Sequence, residues 1–236
     1  MVRMLFGLLL LVTMVTGAHA RPPLVIATTL SPPLSYPQQN GMLDLIAKAA
    51  FARAGIGLSL QVLPSERGLV MADAGQVDGD INRISGLEDK YANLVQVPES
   101  NLSYEFMAFT ARNDVVVSSW DDLKNYSVGY IIGWKIYDEN ADARSVVKVA
   151  TPENLFALLQ GRRVDVVLYY RIGGMHYIRE LGLDDVHPVE PPLARRDMFM
   201  YLNRKHAGLV PRIAKALRDM KADGTYAAIV TPFMGN

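Results

Sequence analysis

The chain contains no cysteine, so no disulfide framework holds it together and no lipid-modified cysteine anchors it; its stability rests on a packed core. It also lacks an excess of either charge, with 24 Lys+Arg against 24 Asp+Glu. That balance gives no electrostatic footprint for nucleic acid or a membrane surface. Histidine is sparse: beyond residue 20 only His176, His187 and His206 occur, scattered and without metal-ligand spacing. No G-x-S-x-G elbow and no glycine-rich phosphate loop is present. These absences leave no recognisable metal site, cofactor site or nucleophile motif. The first apolar run, Leu5 to Val15, is about half of the roughly twenty residues a spanning helix needs.

That run does fit something else. Arg3 precedes it and Ala18-His19-Ala20 follows it, which is the charge, apolar core and small-residue order of a secretory signal peptide. Residues 1–20 are therefore expected to be cleaved, placing the protein in a bacterial periplasm. Without them 23 basic residues face 24 acidic ones, and about 216 residues remain, enough for one large domain or two small lobes.

Strand and helix signals alternate along that length. PPLVIATTL reads as a strand closed by Ser31-Pro32-Pro33. GMLDLIAKAAFARAG carries apolar residues at helical spacing and stops at Gly55. LSLQVLP predicts a second strand, and SERGLVMADAG a short helix capped by Ser65. After YEFMAFTAR the pattern restarts: a helical turn at WDDLKNY, a strand at SVGYII, and a helix opening at Gly133. Next come a strand end, a helix with Thr151 as N-cap and Pro152 at its first position, a stop at Gly161 and the buried strand VDVVLYY. A last strand, MFMYLN, and a long amphipathic helix ending at Gly224 complete the chain. Two α/β units in series predict mixed sheets flanked by helices.

Several of these segments carry a resemblance. LVIATTLSPPLSYPQQNGMLDLIAKAAFARAG, GQVDGDINR, the pair DDLKNYSVGYIIG and LLQGRRVDVVL, and ALRDMKADGTYAAIV follow one another in the order found in the bacterial periplasmic solute-binding proteins of family 3. The resemblance implies an α/β, two-lobed periplasmic binding protein fold of type II, with a hinge between the lobes. Residues 21–103 plus 197–236 would form lobe 1 and residues 104–196 lobe 2. It implies a monomer that closes on a small-molecule ligand, needs no cofactor or metal, and meets an ABC permease or a sensor protein in the inner membrane. Some proteins of this fold are enzymes, such as cyclohexadienyl dehydratase; that alternative needs a general acid or base with a raised pKa, with Glu66 and Glu88 as candidates.

The chain departs from the family at two positions. Where amino-acid binders grip the ligand carboxylate with arginine, this chain has Glu88; where they hold the ammonium with a carboxylate, it has Tyr170. A zwitterion without countercharges carries a desolvation cost of several kcal/mol. The expected solute is thus a small polar anion, with an aromatic ring among the options. Arg83 in DGDINRISGLEDKY is the first candidate to hold it, through two parallel hydrogen bonds; the alternative is an ion pair with Glu88, Asp89 or Glu66. A calcium loop through Asp78, Asp80, Asn82 and Asp89 is disfavoured, because its sixth position is Arg83 where glycine is needed. Arg67, at a helix start beside Glu66, is the second cation. Gly133 and Trp134 occupy a strand-to-helix turn suited to an anion and a stacked ring. Tyr36 and Tyr170, with Tyr169, either wall the cleft or pack in the core.

Overall fold

The computed structural model describes residues 22–234; the signal-peptide expectation lies outside them. The strands are β1 (Leu24–Thr28), β2 (Leu58–Val62), β3 (Gly79–Arg83), β4 (Leu94–Gln96), β5 (Leu102–Thr110), β6 (Ser127–Ile131), β7 (Ser145–Val149), β8 (Val166–Tyr170) and β9 (His187–Asn203). The helices are α1 (Met42–Arg53), α2 (Ser65–Asp73), α3 (Lys135–Asn140), α4 (Pro152–Gln160), α5 (Arg171–Glu180), α6 (Val210–Ala222) and α7 (Thr225–Met234). The strands hydrogen-bond in the order β2-β1-β3-β9-β5-β8-β6-β7, with β4 also on β9. β1 runs parallel to β2 and β3, and β6 parallel to β7 and β8.

The antiparallel pair β5 and β9 carries the chain between the two halves. Ser103 faces Asp197 and Tyr104 faces Arg196 across that ladder. Beyond Met198, β9 turns its partners to β3 and β4. Each half buries both faces of its sheet, which is why β1 and β8 are apolar almost throughout rather than alternating. In β1, Ile26 joins the larger core and Ala27 the opposite one. In β8, Val167 and Tyr169 face the larger core while Val166 and Leu168 face the other. Burying a Leu, Ile, Val or Phe side chain stabilises by about 1.5–3 kcal/mol, so these two-sided strands dominate the stability of a cysteine-free chain.

Capping chemistry sets several helix ends as expected. Thr151 accepts the Asn154 N–H at 3.3 Å with Pro152 in the first turn, and Gly161 follows the last turn. The α6–α7 corner is a closed network: Gly224 adopts φ +84°, and the Asp223 carboxylate accepts from Thr225 N and Oγ1 at 3.0 and 2.6 Å and from Arg53 at 2.5 Å. These bonds hold the Asp223 carboxyl down at about 2. The buried Asp44 of α1 accepts from Ser35 Oγ (2.9 Å), Gly41 N (3.1 Å) and Tyr36 N (3.3 Å), so it fixes the Ser31–Tyr36 loop on the helix; burial raises its carboxyl above the usual range.

Two sequence readings change. Ser65 is the first residue of α2, which Pro64 precedes as N-cap, and its hydroxyl accepts from Arg83 instead. The helix expected to open at Gly133 begins at Lys135. Among the described residues no helix is long and apolar enough to cross a membrane.

Candidate functional site

The parallel strands of both halves deliver their carboxyl ends to the place where the halves meet, the position where open α/β sheets bind ligands. β8 ends there with Tyr170, which is 1 % exposed. Its hydroxyl donates to the Pro32 carbonyl at 3.2 Å and lies 3.3 Å from Ser31 Oγ, so it joins β8 to the loop after β1. Beside it the Tyr104 hydroxyl accepts from Asn82 Nδ2 at 2.9 Å, joining β5 to the end of β3. Burial drives both phenols well above their ordinary pKa, so each remains a neutral donor and acceptor.

The rings of this region form a near-parallel ladder. Tyr137 stacks on Trp134 (5.5 Å, 8°), Trp134 on Tyr170 (5.9 Å, 14°) and Tyr170 on Tyr104 (4.9 Å, 10°). Each such pair adds about 0.5–1.5 kcal/mol beyond its area. Two rings thus stack on Trp134, which stays half-buried. Tyr169 tilts against Trp134 and Tyr170. Gly133, just before, has φ +86° and open space around it, a left-handed turn that glycine adopts without penalty.

Arg83 is held from both sides. Its Nε and NH2 donate to the Asp80 carboxylate at 2.8 and 2.7 Å, and NH1 and NH2 donate to Ser65 Oγ and the Ser65 carbonyl, each at 2.6 Å. Four of its five N–H donors are thus engaged. The Asp80 side chain is 3 % exposed and that of Arg83 15 %. Burial raises the Asp80 carboxyl and the Arg83 guanidinium opposes it. Gly68 makes room: a methyl there would stand 2.9 Å from Asp80 Oδ2. The ion pair is therefore with Asp80, not with Glu88, Asp89 or Glu66. A shift of register in β3 between Asp80 and Arg83 brings to one side two residues that an ideal strand would point apart.

The remaining candidates lie around this centre. Arg67, in the first turn of α2, is exposed and has no ion pair among the described residues. Its neighbour Glu66 accepts from Tyr91 Oη at 2.7 Å and Lys90 Nζ at 3.2 Å, which hold its carboxyl below the usual range. Glu66 therefore does not supply the raised acid that a dehydratase-like reaction needs. Tyr36 sits apart from the ladder, edge-on to His176 of α5 at 6.3 Å; burial raises its phenol pKa. His176 Nε2 is 2.9 Å from Glu180, yet burial lowers its pKa. The supposed calcium ligands part company, because Asp78 accepts from Val25 N, Lys205 and His206 while Asp80 serves Arg83.

The structure thus brings Trp134 and Tyr170 together and places Arg83 and Arg67 at the same helix start. Sequence reading missed Asp80 as a partner, Tyr104 and Asn82 as a bond between β5 and β3, and Ser31 as the Tyr170 contact. None carries a local signal, since each depends on residues 22 to 139 positions away or on the β3 irregularity.

No family model matches the chain. An uncharacterized protein of Shewanella oneidensis is 25% identical over 191 residues, 78% of this chain and 72% of that protein. Among solved structures, a histidine kinase sensor domain with similarity to periplasmic binding proteins superposes with TM-score 0.74 at 20% identity, covering 91% of this chain and 96% of that one. The glutamate-bound GluR0 ligand-binding core from Nostoc punctiforme gives 0.73 at 22%, covering 91% and 100%. An ancestral arginine-binding protein bound to glutamine gives 0.72 at 21%, covering 92% and 100%. The fold of this chain is that of the two-lobed periplasmic binding proteins.

Proposed function

We propose that this protein is a periplasmic, monomeric solute-binding protein that closes on a small anionic solute and delivers it to an ABC-type importer, without catalysing a reaction. In this reading residues 21–103 with 197–236 form lobe 1, residues 104–196 form lobe 2, and the Ser103–Asp197 and Tyr104–Arg196 pairs mark the hinge. The observation that carries the reading is the pair of bonds from Tyr170 to Pro32 and from Asn82 to Tyr104, which join the lobes at the carboxyl ends of parallel strands. Arg67 supplies an exposed cation and Gly133 the left-handed turn that precedes α3. Half-buried Trp134 and Tyr36 supply the walls, with the buried Tyr170 packed behind Trp134, and Arg83 acts mainly by fixing the start of α2 against β3.

Likeness to a sensor domain favours a second reading in which the closed form docks on a membrane receptor; capture of the membrane partner separates the two. The solute-binding reading itself is tested by thermal unfolding of residues 21–236 with dicarboxylates, aromatic and aliphatic acids, phosphates, sugars and amino acids. A solute at a thousand times its Kd stabilises by about 4 kcal/mol, a rise in Tm of roughly 8–16 °C. A panel in which no solute shifts Tm overturns it.

A further inference from the structure

Four large aliphatic side chains remain exposed where the parallel strands end. Val62 (41 % exposed) closes β2, Leu30 (44 %) lies two residues beyond β1, Ile84 (49 %) one beyond β3, and Ile132 (60 %) one beyond β6. β2, β1 and β3 are parallel neighbours, so the first three share one edge of lobe 1. Ile132 belongs to lobe 2. Trp134, two residues on, stacks on Tyr170, whose hydroxyl reaches Ser31, the residue after Leu30. Val70 and Val116 are as exposed elsewhere on the surface; what sets these four apart is that each sits at or just past the end of a parallel strand, where open α/β sheets bind ligands.

Two exposed cations stand at the same mouth. Arg67 lies in the first turn of α2, and Lys135, on the facing lobe, opens α3; neither has an ion pair among the described residues. Each follows the carboxyl end of a parallel strand, Arg67 after β2 and Lys135 after β6, on the side where Tyr170 at the end of β8 meets Ser31 after β1. A purely polar solute would leave the aliphatic rim facing polar groups, and a neutral apolar one would leave both cations uncompensated. We infer that the site takes an amphiphilic anion, a carboxylate on an apolar chain or ring, with Arg67 and Lys135 on the acid and Leu30, Val62, Ile84 and Ile132 over the apolar body. This rests on the solute-binding reading and narrows its substrate class.

Calorimetric titration with acetate, butyrate, hexanoate and octanoate tests it, with glutamate and succinate as polar comparators. Affinity is expected to rise about fourfold per added methylene, the equivalent of about 0.8 kcal/mol. Arg67→Ala with Lys135→Ala should weaken hexanoate at least about tenfold, the loss of roughly one charged hydrogen bond, and Ile132→Ser should flatten the chain-length trend. All three positions are exposed, and circular dichroism verifies that the variants fold. Affinity that is flat along the series, or tighter for glutamate or succinate than for hexanoate, overturns the amphiphile inference and leaves the solute-binding reading standing. Absence of binding by every acid, together with a flat thermal panel, overturns both.

Discussion

Replacing Arg83 by alanine separates a structural cation from a ligand-gripping one. The substitution removes the fork from a carboxylate whose side chain is 3 % exposed and takes two bonds from Ser65. Breaking a buried pair from one side costs about 3–5 kcal/mol, because the other charge is left uncompensated. For a protein of this size 1 kcal/mol moves Tm by about 2–4 °C, so solute-free Arg83→Ala should melt about 6–20 °C lower at pH 7. The sign of its pH dependence follows from Asp80. Burial raises that carboxyl and Arg83 opposes the rise, so the variant raises it further. A carboxyl with a raised folded pKa favours the folded state fully below its unfolded value, about 3.9, and that contribution is lost as pH rises through the folded value. The deficit of Arg83→Ala should therefore be small near pH 4 and widest at neutral pH. Adding Asp80→Ala should restore most of the lost stability, a coupling of about 2–3 kcal/mol. Thermal melts across pH supply the assay; a Tm loss below about 3 °C at pH 7 that does not grow with pH refutes the reasoning.

Tyr170→Phe deletes the hydroxyl that joins Ser31 and Pro32 to β8, and should lower stability by about 1 kcal/mol, read from urea unfolding; an unchanged midpoint would show that the interlobe bond is not formed in solution. Gly174→Ala places a methyl 2.1 Å from Cζ of Phe109 and should destabilise by about 1–3 kcal/mol; a neutral effect would mean α5 does not approach β5 this closely. Asp223 should titrate at about 2 by NMR and move toward the ordinary carboxylate range in Thr225→Ala. Its depressed pKa contributes stability above about pH 4 that is lost as pH falls toward 2, so a wild-type Asp223 titrating near 4 contradicts the α6–α7 corner.

Much of the architecture could be read from residue patterns because the signals were local. Thr151-Pro152 and Gly161 bracket α4, and the apolar run of β8 announces a strand buried on both sides. Other elements were hidden for physical reasons. α5 contains Gly173-Gly174, a poor helix pattern that persists because the missing side chains let it approach Phe109 and Tyr170. β9 begins at His187, where prolines and charges read as loop, since its strand identity comes from the ladder with β5. The aromatic ladder likewise assembles Tyr104 of β5, Tyr170 of β8 and the Trp134–Tyr137 pair at the start of α3; only that last pair is encoded by spacing along the chain.

The central claim is that two lobes move together on a solute. The absence of cysteine allows clean labelling at Glu88→Cys and Glu139→Cys, one exposed position on each lobe, for single-molecule energy transfer. With hexanoate the population should shift from a distribution of separations to one short separation, at a midpoint equal to the calorimetric Kd. A distribution that no stabilising solute moves would contradict lobe closure as the working motion of this protein.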